Sequence, residues 1–71
     1  MSKIIYNRLK EICPSKNIRG MSVQDLICDC NVAFKIIGYS PENLEESVIE
    51  NLQDKDMDLY KFIYTVWENP V

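Results

Sequence analysis

The residues that break helices stand far apart in this chain, and their positions divide it into blocks. Pro14, Gly20, Gly38, Pro41 and Pro70 all fall where a helix could start or stop. Within most of the blocks apolar residues recur at the three- and four-residue spacing of a helix face. A chain of 71 residues makes one domain, near the size at which a lone core is only marginally stable. Its apolar fraction of 46% is ordinary for a globular protein and argues against disorder. Together these features predict an all-α fold, a compact three- to four-helix domain built from the whole of residues 1–71.

The first block, about Ser2 to Cys13, repeats apolar residues at Ile5, Leu9 and Ile12, with Tyr6 and Cys13 beside them. Pro14 ends it, since proline removes a donor and forces its predecessor out of the helical region. Residues 15–20 then read as a polar loop. The second block has the clearest start signal. Ser22 is placed to cap a helix, Asp25 stands three residues on in a near capping box, and Met21 and Leu26 can staple across the cap. Val23, Leu26, Ile27, Cys30, Ala33, Phe34 and Ile37 follow the helical period up to Gly38, which supplies a left-handed stop.

At about 100° per residue, Cys28, Val32 and Ile36 fall on the opposite side of that helix. Such a helix is either central and packed on both sides, or broken near Cys30 and Asn31 into two shorter ones. A strand over Val32 to Tyr39 is a third alternative, although its apolar residues do not alternate cleanly. The third block opens with Ser40 and Pro41, a capping residue before proline at the first helical position. There Leu44, Val48, Ile49 and Leu52 form one face, with Glu45, Glu46 and Glu50 mainly on the other.

The last helix is predicted to begin around Asp54 to Asp56, run to about Trp67 and stop before Asn69 and Pro70. Met57, Leu59, Tyr60, Phe62, Ile63, Tyr64, Val66 and Trp67 are apolar or aromatic, and Asp58, Lys61 and Thr65 sit on its polar side. The apolar arc spans roughly 220°, against the roughly 100° stripe that a surface helix minimally needs. A chain this short has little other material to cover it. Tyr60, Tyr64 and Trp67 share one side of this helix, and such residues combine large apolar area with a polar tip. They are the candidate partner-binding residues, set against the plainer alternative that all belong to the core.

Chemistry is sparse. The chain has no histidine, the commonest general base and metal ligand. A thiol nucleophile would lack its usual base, and Gly20 and Gly38 are isolated, so no phosphate loop exists. Glu42, Glu45, Glu46 and Glu50 read as a solvated acidic face rather than a catalytic pair. Three cysteines, Cys13, Cys28 and Cys30, are too few and odd in number for a disulfide framework, and fit reduced, buried side chains. Zinc usually takes four ligands, and Cys28 and Cys30 point about 200° apart on a helix. No enzymatic activity, cofactor or metal is expected.

One stretch, Ser22-Val23-Gln24-Asp25-Leu26-Ile27 followed by Cys30-Asn31-Val32 and Ile36 or Ile37, resembles the core of a helix-turn-helix. The resemblance covers about Ser22 to Tyr39 and implies a DNA-binding regulator with its turn at Asn31. Ala33 stands where that motif usually has a capping Ser or Thr. The implied recognition helix offers Lys35 as its one cation, where base reading normally uses several Arg, Lys, Asn or Gln side chains. Net charge of −3 gives no general attraction for nucleic acid, although Lys3, Arg8, Lys10, Lys16 and Arg19 make the first twenty residues locally basic. From Ser40 onward the charge is mainly acidic.

No apolar run approaches the roughly 20 residues of a membrane span, and the opening residues lack signal-peptide order. The expectation is a small cytoplasmic protein with a regulatory or inhibitory role, of a size that suits phage or mobile-element accessory proteins. It would bind a protein partner, or self-associate, through its C-terminal helix. The acidic half could engage a basic patch or mimic nucleic-acid charge. DNA binding through the helix-turn-helix is the alternative.

Overall fold

A computed structural model of the chain describes residues 3–12, 15–53 and 56–69. These form four helices, α1 (Lys3–Ile12), α2 (Val23–Ile36), α3 (Leu44–Asn51) and α4 (Leu59–Glu68). The molecule is the small all-α domain that the periodicity predicts. The readings placed on Ser2, Cys13, Pro14, Asp54, Pro70 and the side chain of Ile12 lie outside the described residues.

In α1, Leu9 is fully buried and Tyr6 packs against the core, as the spacing requires. The segment after it does not behave as a purely polar loop. Ile18, a single apolar residue among polar ones, is sealed in the core. Backbone pairing puts it there: Ile18 N–H donates to the Met57 carbonyl at 3.0 Å, and Leu59 N–H donates to the Lys16 carbonyl at 2.8 Å. The two connections therefore pair antiparallel at Asn17 and Asp58. Lys16 also reaches Asp29 of α2, with 2.9 Å between Nζ and Oδ2.

Helix α2 starts as its cap predicts, with Ser22 Oγ accepting from Asp25 N–H at 3.1 Å. It runs unbroken through Asn31, which settles the choice between one helix and two and removes the turn that a helix-turn-helix needs there. Nor is it packed on both sides. Leu26, Cys30, Ala33 and Phe34 are buried, whereas Val32 and Cys28 are exposed on the other face. At its end Gly38 takes φ +73°, Gly38 N–H donates to Lys35 and Tyr39 N–H to Phe34. The ring of Tyr39 then meets that of Phe34 edge-on at 5.4 Å. This is a full Schellman ending, with its accompanying apolar contact.

The start of α3 differs from the Ser40-Pro41 expectation. The cap position is Asn43, and its side chain makes no capping bond; the first helical bond runs from Ser47 N–H to the Asn43 carbonyl at 2.9 Å. Glu42 and Asn43 form a turn first, so the proline belongs to the approach and not to the helix. Val48 and Ser47 are buried. Ile49, expected on the buried face, is 54% exposed, because it lies about 100° from Val48 on so short a helix.

Helix α4 begins later than the acidic residues suggest. Asp58 is its cap, accepting from Lys61 N–H at 3.0 Å. Leu59, Tyr60, Phe62, Ile63 and Val66 are buried, five of the twelve buried hydrophobic residues among those described. They share one cluster with Leu9, Ile18, Leu26, Phe34 and Val48. The wide apolar arc thus has a structural occupant, since α4 supplies the largest share of the common core. Among the described residues no helix is long and apolar enough to cross a membrane.

Candidate functional site

The three aromatic residues singled out on α4 have three different surroundings. Tyr60 is 6% exposed, and its hydroxyl donates to the Lys10 carbonyl at 3.1 Å. It fastens α4 to the end of α1 and satisfies its polar tip inside the molecule, as a buried tyrosine must. Trp67 is partly buried and stacks on Tyr39, with ring centroids 5.1 Å apart and 15° between the planes. Together with the contact from Tyr39 to Phe34 it holds the end of α2 against α4.

Tyr64 alone of the three is exposed, at 40%. At about 100° per residue it falls at the margin between the buried face of α4 and the Lys61 and Glu68 side. Its ring meets Tyr6 of α1 edge-on, at 5.8 Å and 77°. Lys10 Nζ lies 4.9 Å from the centre of the Tyr6 ring, within the range of a cation–π contact. The result is an aromatic edge along the α1–α4 seam, formed by Tyr64 and Tyr6 and bordered by a cation. Tyr6 belongs to this edge although the sequence pattern gave it only a place beside the buried face of α1.

A second surface feature lies on α3. Glu42, Asn43, Leu44, Glu45, Glu46 and Ile49 line an open groove of about 420 Å³. Its apolar elements are Leu44 and Ile49, and its rim is carboxylate. The periodicity of the sequence concealed it, because Ile49 fits the i, i+4, i+5 pattern of a core face that begins at Leu44.

Among the described residues the titratable groups form no reactive pair. Burial, followed by the neighbouring Asp29 charge, pushes the Cys30 thiol up to about 12, which leaves it protonated and inert at neutral pH. Cys28 is exposed and Cys30 buried, so the two face apart on α2. Among the described residues no group of three or more metal-ligating side chains comes together. The hydroxyl of Ser15, which donates to Asp58, is the largest of the influences holding that carboxyl below its ordinary range, and the Lys61 and Tyr60 amides add to it. The Asp29 carboxylate beside Lys16 raises that lysine. These are structural roles at a loop and a helix cap.

No protein-family model matches the chain, and neither the curated proteins nor the solved structures yielded a match.

Proposed function

We propose that this is a small non-enzymatic regulatory protein that acts by binding another protein, and that the Tyr64–Tyr6 edge of the α1–α4 seam is where it does so. One observation carries this reading: Tyr64 remains 40% exposed while its ring is already held against Tyr6. A large amphipathic side chain ordered before contact loses little conformational freedom on binding, and so contributes more net affinity than a mobile one. Tyrosine is also among the residue types that dominate binding energy at interfaces.

Tyr60 and Trp67 support this edge from behind. Tyr60 ties α4 to α1, and Trp67 ties it to the end of α2. The partner-binding set expected on α4 therefore contracts to Tyr64, joined by Tyr6, with the other two as positioning residues.

The test is a comparison of wild type with Tyr64→Ala in capture from the native host followed by mass spectrometry, with helical circular dichroism as the check on folding. The expected result is a protein retained by wild type and lost from a Tyr64→Ala variant that keeps its helical signal. Equal retention by the two would overturn this assignment.

A further inference from the structure

Helices α1 and α4 run antiparallel along their seam, since Tyr60 reaches the Lys10 carbonyl and Tyr64, one turn on, meets Tyr6, one turn back. The charged residues beside this seam are mostly cations. On α1, Lys10 stands about 40° and Lys3 about 60° from Tyr6 around the helix, both on the side away from the buried Leu9. On α4, Lys61 stands about 60° from Tyr64, on the side away from the buried Ile63. The two rings therefore lie between cations of α1 and a cation of α4. Lys3, Lys10 and Lys61 are exposed, and Lys10 Nζ lies 4.9 Å from the centre of the Tyr6 ring. The nearby carboxylates are engaged within the molecule. Asp58 accepts from Ser15 and from the Lys61 amide, and Glu68 is held by its neighbours, the Tyr64 hydroxyl among them. Arg8 lies about 160° from Tyr6 and belongs to another face.

We propose that the partner presents an acidic segment to this edge, with an apolar side chain on Tyr64 and carboxylates against Lys10 and Lys61. This rests on the reading of the edge as a protein-binding surface, and it names the chemistry of what is bound there. Complementary charge around an aromatic anchor steers encounter and fixes register more than it adds affinity. The same cations attract phosphate, but two features favour carboxylates on a polypeptide. Tyr6 and Tyr64 meet edge-on at 77°, so they offer no pair of parallel faces on which successive bases would stack. The net charge of −3 also repels a long polyanion, whose charge extends beyond the edge, more than it repels a short acidic segment.

Amide NMR of the purified chain, titrated with a short synthetic peptide of repeated Glu-Glu-Leu, tests this. Tyr6, Lys10, Lys61 and Tyr64 are expected to shift together. The affinity should fall as salt is raised from about 0.01 M to about 1 M, over which the screening length contracts from about 30 Å to about 3 Å. Lys10→Glu with Lys61→Glu should weaken binding roughly tenfold or more. The neutral pair, Lys10→Gln with Lys61→Gln, should weaken it less and replaces the reversal if circular dichroism shows the fold around Asp58 disturbed. Lys35→Glu, at an exposed position of α2, should leave binding unchanged. No shift at the edge up to about millimolar peptide, or binding indifferent to the paired substitutions, would overturn the proposal. So would an oligothymidylate that shifts the same residues at lower concentration than the peptide, which would make the edge a nucleic-acid site. Capture from the native host separates the two assignments. A protein lost by Tyr64→Ala but kept by Lys10→Glu with Lys61→Glu overturns the acidic chemistry and leaves the edge standing, whereas one kept by both variants removes the edge itself.

Discussion

At the scale of single residues, Asp58 does the most with the least bulk. Its backbone pairs with Asn17, one carboxylate oxygen accepts the Lys61 amide at 3.0 Å, and the other takes the Ser15 hydroxyl. These contacts favour the ionised form and hold the carboxyl below its ordinary value of 3.8. The folded state then binds fewer protons than the unfolded state in that range. The stability this confers is complete above about pH 4 and is lost as the pH falls through the folded value. Asp58→Ala should cost about 1 kcal/mol, the usual effect of losing a helix cap. Urea titrations near neutral pH and again at about pH 3 should show the wild type losing more on acidification than the variant does. An equal loss in both would mean that the cap contributes nothing to acid sensitivity. The sequence showed acidic residues at the start of α4 without saying which one caps it. That depends on where the chain leaves its pairing with the preceding loop, and this pairing joins residues some forty positions apart. Ser22 was easier to read, because its cap bond to Asp25 is local and both ends lie in one turn.

At the scale of elements, what was legible is what repeats. The helical class, the start of α2, the stop at Gly38 and most of the buried face of α4 follow from spacing and stop signals alone, whereas spacing left α2 open as one helix or two. Three further features did not follow. Ile18 stands by itself in a polar stretch, so no period could mark it as core; its burial follows from the hydrogen bonds that its own segment makes with Met57 and Leu59. The Ser40-Pro41 pair has the composition of a helix start, yet the chain spends Glu42 and Asn43 on a turn before α3 begins. The width of the apolar arc on α4 reads the same for a helix with spare surface and for one at the centre of a bundle. Only the positions of its neighbours separate these, and they buried Tyr60 and partly covered Trp67. The candidate site was legible to the same limited degree, in Tyr64 but not in its companion Tyr6. The connection before α2 supplies the prediction at this scale. Ile18→Ala should cost about 2–5 kcal/mol, as for other fully buried aliphatic truncations, although it lies outside every helix. The neighbouring exposed Arg19→Ala should change stability by less than about 0.5 kcal/mol. Chemical denaturation of the two variants compares them directly, and similar midpoints would show that the loop is not part of the core.

For the whole molecule the question is whether four short helices unfold together. The longest has 14 residues, and isolated helices of such length are marginal in water, so packing must hold them. That packing has one centre: residues from all four helices and from the Ile18 loop meet in a single cluster. A chain of this size has a total stability of roughly 4–11 kcal/mol by the usual per-residue range, too little to divide among independent parts. Trp67 makes this testable, because it is the one tryptophan in the chain and stacks on Tyr39 just past the end of α2. Its fluorescence reports the corner where α2 meets α4, whereas far-ultraviolet circular dichroism reports all the helices at once. With one cooperative core the two signals should share a midpoint in thermal unfolding. Ile63→Val, which removes one methylene from the centre of α4, should cost about 1 kcal/mol and lower both midpoints by roughly 4–8 °C. A fluorescence transition that ran ahead of the helical one, and did not move with Ile63→Val, would mean that the Tyr39–Trp67 corner opens as its own unit. In that case the end of α2 would be held by the stack alone, and only the first two turns of α4 would belong to the cooperative core.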